Sequence, residues 1–218
     1  MDKILKHGSS VLSGLFLILL SGPSHAASVS NLTITEVMAN PSAVSDTAGE
    51  WFELYNPGSV AVDLSGVLLR DDGSNSHTIS SGSPLLVNPG SFFVLGRNGD
   101  SSSNGGYTPD YVYSGFSLGN SADQIVLEDA FGSLRLDYSA GFVAAGQSSE
   151  LLGLPMQENN FGLTDGSHVY GAGDIGTPGY AGSFTPSAVP LPASAWLMLS
   201  GIAGMFGLRR RNRATAPA

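Results

Sequence analysis

The chain has 218 residues, among them 29 glycines and 12 prolines, and its charged fraction of 12% is about half the ~25% usual for soluble domains. It contains no cysteine, which excludes a disulfide framework, a thiolate zinc site and a cysteine nucleophile. The net charge of −9 is uneven: between the two ends only Arg70, Arg97 and Arg135 stand against seventeen acids, and this balance of −14 excludes nucleic acid as a partner.

Met1 to Ala26 has the layout of a secretory signal. Lys3 and Lys6 precede the apolar run Val11 to Leu20, and Ser24-His25-Ala26 forms a small-x-small cleavage site. Ten apolar residues are too few for a stable span, so cleavage is expected after Ala26 or, second, after Ala27, with an uncleaved anchor as the competing reading.

Leu32 to Met38 (LTITEVM) is rich in β-branched residues and predicts the first strand, stopped by Asn40-Pro41. Glu50 to Tyr55 predicts the second, with Phe52 and Leu54 on one face and Trp51, Glu53 and Tyr55 on the other. Both faces are substantial, which suits the middle of a sheet. Asn56-Pro57-Gly58 then predicts a type II turn, with Gly58 taking the positive dihedral.

Val67 to Arg70 predicts a strand with Val67 and Leu69 on one face, closed by Asp71-Asp72-Gly73. Ser91 to Gly96 is apolar on both faces and predicts another central strand. Gly99 to Gly106 (GDSSSNGG) predicts a solvated loop with nothing to bury, and Tyr111 to Tyr113 a short strand. Gln124 to Glu128 and Leu134 to Tyr138 alternate apolar and polar across Asp129 to Gly132, the clearest hairpin in the chain. Asn160 to Gly182 predicts an irregular, glycine-rich strap. Seven or eight such strands fit a two-layer antiparallel β-sandwich.

The blocks ITEVMANP, GEWFELYNPG, VDLSGVLLRDD, LVNPGSFFVLGR, FSLGNSADQIVLEDAFGSLRLDY and GDIGTPG follow one another from Ser30 to Gly179. Their order resembles the lamin-tail domain, which implies an all-β, immunoglobulin-like antiparallel sandwich of a kind found in nuclear lamins and many bacterial exported proteins. Val67 departs from the Trp often found after Ser-Gly, and Ala122 from a frequent Gly before the acidic residue.

The far end carries Val189, Pro190, Leu191, Pro192 and Ala193, an apolar run to Leu208, then Arg209, Arg210, Arg211 and Arg213. This resembles the PEP-CTERM sorting signal in its VPLPA variant, with the usual Pro-Glu-Pro absent. The resemblance implies a Gram-negative cell and a membrane exosortase that recognises and removes the signal. Ala193 to Leu208 would make about 24 Å of helix against ~30 Å of hydrocarbon, a marginal span with the arginines cytoplasmic; a permanent tail anchor is the competing reading.

The expected organisation is a signal peptide at 1–26, a lamin-tail-like sandwich at 27–183, a linker at 184–188, the sorting signal at 189–213 and a tail at 214–218. Glu36, Glu50, Glu53, Asp71 and Asp72 come from the first strands and are calcium candidates, set against solvated strand ends, since DDGSNS from Asp71 lacks a bidentate Glu at the twelfth position. His77 and His168 are the only histidines after the signal, and neither sits in a nucleophile motif. Trp51 is either a carbohydrate-stacking platform or core.

The expected function is therefore non-enzymatic, without cofactor: an exported surface or matrix protein with a structural or adhesive role. Its partners would be the Sec machinery, the inner membrane and an exosortase in transit, then surface exopolysaccharide. The alternative is an extracellular binding module for saccharide or calcium, which an aromatic patch around Trp51 or Tyr107 would favour. A hydrolase of surface polymers would instead need paired acids facing across a cleft.

Overall fold

The computed structural model describes residues 27–184, where alternating apolar side chains and frequent glycine turns give short strands. In chain order these are β1 (Thr33–Met38), β2 (Trp51–Tyr55), β3 (Val62–Asp63), β4 (Leu68–Arg70), β5 (Ser76–Thr78), β6 (Leu86–Val87) and β7 (Phe92–Gly96). They continue with β8 (Tyr111–Val112), β9 (Asp123–Asp129), β10 (Gly132–Tyr138), β11 (Ser149–Leu151), β12 (Phe161–Leu163), β13 (Val169–Tyr170) and β14 (Asp174–Ile175). Single helical turns occur at Val29–Asn31, Asp46–Gly49 and Glu158–Asn160.

Two sheets face each other. The larger runs β12-β11-β1-β2-β7-β8 and the smaller β10-β9-β4-β5, while β3–β6 and β13–β14 form separate ribbons. Every pairing is antiparallel except β7 with β8, so the expected all-antiparallel sandwich carries one parallel edge. Between the sheets Ile34, Phe52, Leu54 and Leu95 meet Leu69, Ile125, Leu127 and Leu136 in one continuous core. Each such buried side chain contributes roughly 1.5–3 kcal/mol.

The strand at Glu50 to Tyr55 is central, as its two apolar faces predict. It lies between β1 and β7, and all five residues of β2 are buried. Phe52 and Leu54 enter the main core, while Trp51 joins Met38, Val94 and Tyr107 in a second cluster on the opposite face. The larger sheet is therefore covered on both sides. Trp51 is fully buried, so the exposed-platform reading gives way to core.

The predicted hairpin is present as β9 and β10, with Leu134 opposite Leu127 and Leu136 opposite Ile125. Its turn is built by Asp129, whose Oδ1 accepts the amides of Phe131 and Gly132, both at 2.8 Å. The same carboxylate accepts Ser28 Oγ at 3.0 Å and the Val29 amide at 2.8 Å, which ties the start of the described chain to the sandwich.

Three expectations need correcting. Gly58 does not take a positive φ; its amide bonds Asn56 Oδ1 at 2.9 Å, and the buried Asn56 side chain then reaches the Val60 and Val87 carbonyls. The tripeptide Asn88-Pro89-Gly90 does make the turn expected at Asn56, with Gly90 at φ 71° and the Ser91 amide on the Asn88 carbonyl at 3.0 Å. The same letters give two turns because only the first Asn has carbonyls within reach of its side chain.

The loop at Gly99 to Gly106 is not wholly solvated: Asn104 is buried and donates to the carbonyls of Asn98 and Tyr107. The stretch from Asn160 to Gly182 is also more regular than a strap. Its first part, β12, extends the larger sheet beside β11, and β13–β14 form a ribbon. The expected signal at 1–26, with cleavage at Ala26, and the sorting signal at 189–213 fall on residues outside those described. Among the described residues no helix is long and apolar enough to cross a membrane.

Candidate binding groove

The outer face of the larger sheet, turned away from the smaller one, carries an unusual row of acids. Glu150 lies opposite Glu36, Glu36 opposite Glu53, and Glu53 opposite Val94, so three carboxyl groups sit in register on β11, β1 and β2. A β-bulge at Thr35 produces this arrangement. Ile34 pairs with Leu54 and Glu36 with Glu53, so the extra residue turns Ile34 into the core and Glu36 outward. All three acids are buried.

They are buried because the chain from Gly176 to Ser183 lies over them and donates to them. Glu36 accepts the Thr177 amide at 2.8 Å, Thr177 Oγ1 at 2.5 Å and Ser148 Oγ at 2.5 Å. Glu53 accepts Thr35 Oγ1 at 2.6 Å and the Gly179 amide at 2.7 Å. Glu150 accepts the Ser183 amide at 2.7 Å and its hydroxyl at 2.8 Å. Gly176 lets the strap approach closely, since a Cβ there would sit a tight 3.0 Å from Glu36 Oε1 and 3.1 Å from the Trp51 ring.

Burial pushes the Glu53 carboxyl up to about 8, with Thr35 acting against the rise and Glu36 adding to it. Burial also raises Glu36, opposed by its bonds to Ser148 and Thr177. Like charges directly opposite on paired strands repel, which adds to the rise at Glu36 and Glu53. Glu50 lies apart from them. Burial raises it to about 7, while the Leu118 amide and the Arg97 guanidinium, both at 3.1 Å, hold the rise back.

Glu36, Glu50, Glu53, Asp71 and Asp72 therefore do not converge on a shared calcium site. Glu36 and Glu53 clasp the strap and Glu50 pairs Arg97. Asp71 shapes its own turn by accepting the amides of Gly73 at 2.7 Å and Asn75 at 3.2 Å. Asp72 bridges Arg70 and Arg135 at the surface. Among the described residues no group of three or more His, Cys, Asp or Glu is arranged to hold a metal ion.

The two histidines are separate as well. His77 Nε2 lies 2.9 Å from Tyr111 Oη and its Nδ1 takes the Ser114 amide at 3.4 Å, so its ring nitrogens face a phenol and an amide. His168 is exposed beside β13.

Beside the clasped strap opens a groove of about 740 Å³, within the ~300–1,000 Å³ typical of small-ligand sites. Its walls are the β7–β8 connection with Tyr107, Thr108 and Asp110, the segment from Ser167 to Tyr170, and the strap from Gly176 to Ala181. Phe92 of β7 completes it.

Each wall is fixed from behind. Trp51 Nε1 donates to Tyr170 Oη at 3.0 Å, with the rings edge to face at 6.0 Å. Tyr107 Oη donates to the Glu50 carbonyl at 3.1 Å, and its ring fits only because residue 96 is glycine. Two more glycines join the walls at one end, where the Ala172 amide reaches the Gly105 carbonyl at 2.9 Å. A Cβ on Gly106 would lie 2.4 Å from Gly171 Cα, so only glycine permits that approach.

Sequence reasoning singled out Tyr107 and the clasping acids Glu36 and Glu53, but missed Glu150, Asp110, Tyr170 and Tyr180. The signal available was the block GDIGTPG, whose regular glycines imply close approach to something beneath.

The family model described as Lamin Tail Domain matches residues 25–142, more than half of the chain. That domain is an immunoglobulin-like structural fold rather than a known enzyme family. No curated protein and no solved structure is significantly similar to this chain. The match covers the β1–β10 portion, with the β-sandwich expected of it, and the chain belongs to the lamin tail domain family.

Proposed function

We propose that this chain is an exported, non-enzymatic surface or matrix protein, with its sandwich in a structural or adhesive role. An N-terminal signal starts export through the Sec machinery, and an exosortase then processes the VPLPA-type end in the inner membrane. One observation supports this reading above the others: the folded body is stitched shut just inside both proposed addresses. Asp129 holds Ser28 and Val29 at one end, and Glu150 holds Ser183 at the other. Removing residues 1–26 and those beyond about Pro192 leaves each of these bonds intact.

Charge supports an exterior setting too. Each of the three arginines of the body is paired with carboxylates: Arg70 with Asp72 and Glu128, Arg97 with Glu50, Arg135 with Asp72 and Asp137. The described residues thus offer no unpaired guanidinium to a polyanion, while the acids left over keep the particle soluble and apart from its copies.

Mass spectrometry of the protein recovered from its host's surface and medium tests the proposal. Loss of residues 1–26 and of everything beyond about Pro192 is expected. An intact arginine-bearing end would overturn the sorting step, and retention in the cytoplasm would overturn export.

A further inference from the structure

We infer that the groove beside the strap is a binding site for a neutral polysaccharide segment, a hydroxyl-rich pyranose ring lying against the exposed face of Tyr180. This rests on the proposed exterior role but uses different residues, so the two can fail separately.

The aromatic content comes first. Tyr180 is 75% exposed on the strap, the most exposed of the large apolar side chains among the described residues, and Val169, which also lines the groove, is 60% exposed. Large apolar side chains left in water within one concavity mark a surface that gains by being covered. The covering group must also be polar at its edges, because the lining also includes Thr108, Asp110, Ser167 and His168. A pyranose has this division, with C–H faces for the rings and hydroxyls around the rim.

Two groups have hydrogen-bonding capacity to spare. Asp110 uses Oδ2 to accept the Val94 amide at 2.8 Å, and Oδ1 has no donor among the described residues. The Tyr170 hydroxyl accepts from Trp51, which leaves its proton without an acceptor among the described residues. One acceptor and one donor lining the same groove can bind hydroxyls of a sugar.

Charge selects the class of polymer. No lysine or arginine lines the groove, Asp110 contributes an acidic side chain, and the three arginines of the described residues are all paired elsewhere. Uronate, sulfate or phosphate groups would meet a negative surface with nothing to neutralise them. Preorganisation adds to the case. Trp51, the Gly106–Gly171 approach and the Glu36–Glu53 clasp fix the walls, so binding would cost little ordering.

Affinity electrophoresis of the full chain tests this, with gels containing a neutral β-glucan, hyaluronan as the anionic polymer, or no polymer. Expected is retardation by the neutral polymer and not by hyaluronan, weakened about tenfold or more in Tyr180→Ala, whose exposed ring can be removed without touching the core. Asp110→Asn keeps an oxygen for the Val94 amide but removes the charge, and should narrow the discrimination against hyaluronan. Circular dichroism of both variants checks that the fold is kept. Retardation by neither polymer, as when a protein strand fills the groove, would overturn the inference. So would equal retardation of wild type and Tyr180→Ala, or a preference for hyaluronan.

Discussion

Replacing Glu53 by Gln should change how stability depends on pH more than it changes stability at acid pH. Glu53 is buried on the outer face of β2, between Thr35 Oγ1 at 2.6 Å and the Gly179 amide at 2.7 Å. Burial lifts its carboxyl to about 8 in the folded chain, against 4.5 when unfolded. Between those values the folded state holds a proton that the unfolded state has lost. The stabilisation is thus complete below about pH 4.5 and lost as pH rises through about 8, at up to ~1.4 kcal/mol per pH unit and on the order of 5 kcal/mol in all. Glutamine keeps the shape of the protonated acid. Its oxygen can take the Gly179 amide and its nitrogen can donate to Thr35 Oγ1, whose proton then turns towards the backbone carbonyl of position 53, 3.5 Å away. Urea unfolding of the wild-type and Glu53→Gln chains, followed by circular dichroism from about pH 5 to about pH 9, reads the effect as a slope. Wild-type stability should fall across that window and the variant's should fall less steeply, leaving it the more stable protein at the alkaline end. A variant with the wild-type slope would refute the reasoning, because it would mean that the strap's donors hold Glu53 as a carboxylate.

Gly96→Ala should cost about 1–3 kcal/mol in urea unfolding, since its Cβ would lie 2.4 Å from Tyr107 Oη and push the ring off the sheet. Tyr113→Phe should be neutral or gain up to ~1 kcal/mol, because the Tyr113 hydroxyl is buried with no hydrogen-bond partner; a clear loss in the same assay would show that it has one. Asp129→Ala should cost about 1–3 kcal/mol and speed amide hydrogen exchange at Val29, Phe131 and Gly132, whose amides its carboxylate accepts. Millimolar calcium should leave the melting temperature unchanged, since the five acids proposed as ligands are already engaged by amides, hydroxyls or arginines at four separate places; a rise would restore the calcium reading.

Sandwich strands with a simple burial pattern were legible from the letters. In Leu134 to Tyr138 every second residue is buried, and in Trp51 to Tyr55 the apolar side chains divide between two clusters, so periodicity alone reports the surroundings. Strand β11 was not legible, although it sits inside the larger sheet between β12 and β1. Its three residues, Ser149–Leu151, include one large apolar side chain, and its central acid is buried only because Ser183, more than thirty positions away, returns to cover it. Burial by a distant segment leaves no local period. The same holds for β3, β5 and β6, which are two or three residues long and take their register from partners rather than from alternation.

The acids show why a composition argument finds the right residues and the wrong role. A body with a balance of −14 invites a cation, and Glu36, Glu50 and Glu53 stand close together in sequence. Whether two neighbouring strand acids share a face depends on register, and the bulge at Thr35 shifts that register by one. Without the extra residue Glu36 would point into the sandwich with Ile34, where no donor could meet it at an acceptable cost. With it, Glu36 joins Glu150 and Glu53 in a row engaged by the amides of a glycine-rich strap, which a cation shell would have to displace. The strap held in this way forms one wall of the groove, and Tyr180 projects from it. The strap that clasps the row also lies against Trp51 at Gly176 and forms one wall of the groove, so the clasp and the groove are parts of one construction.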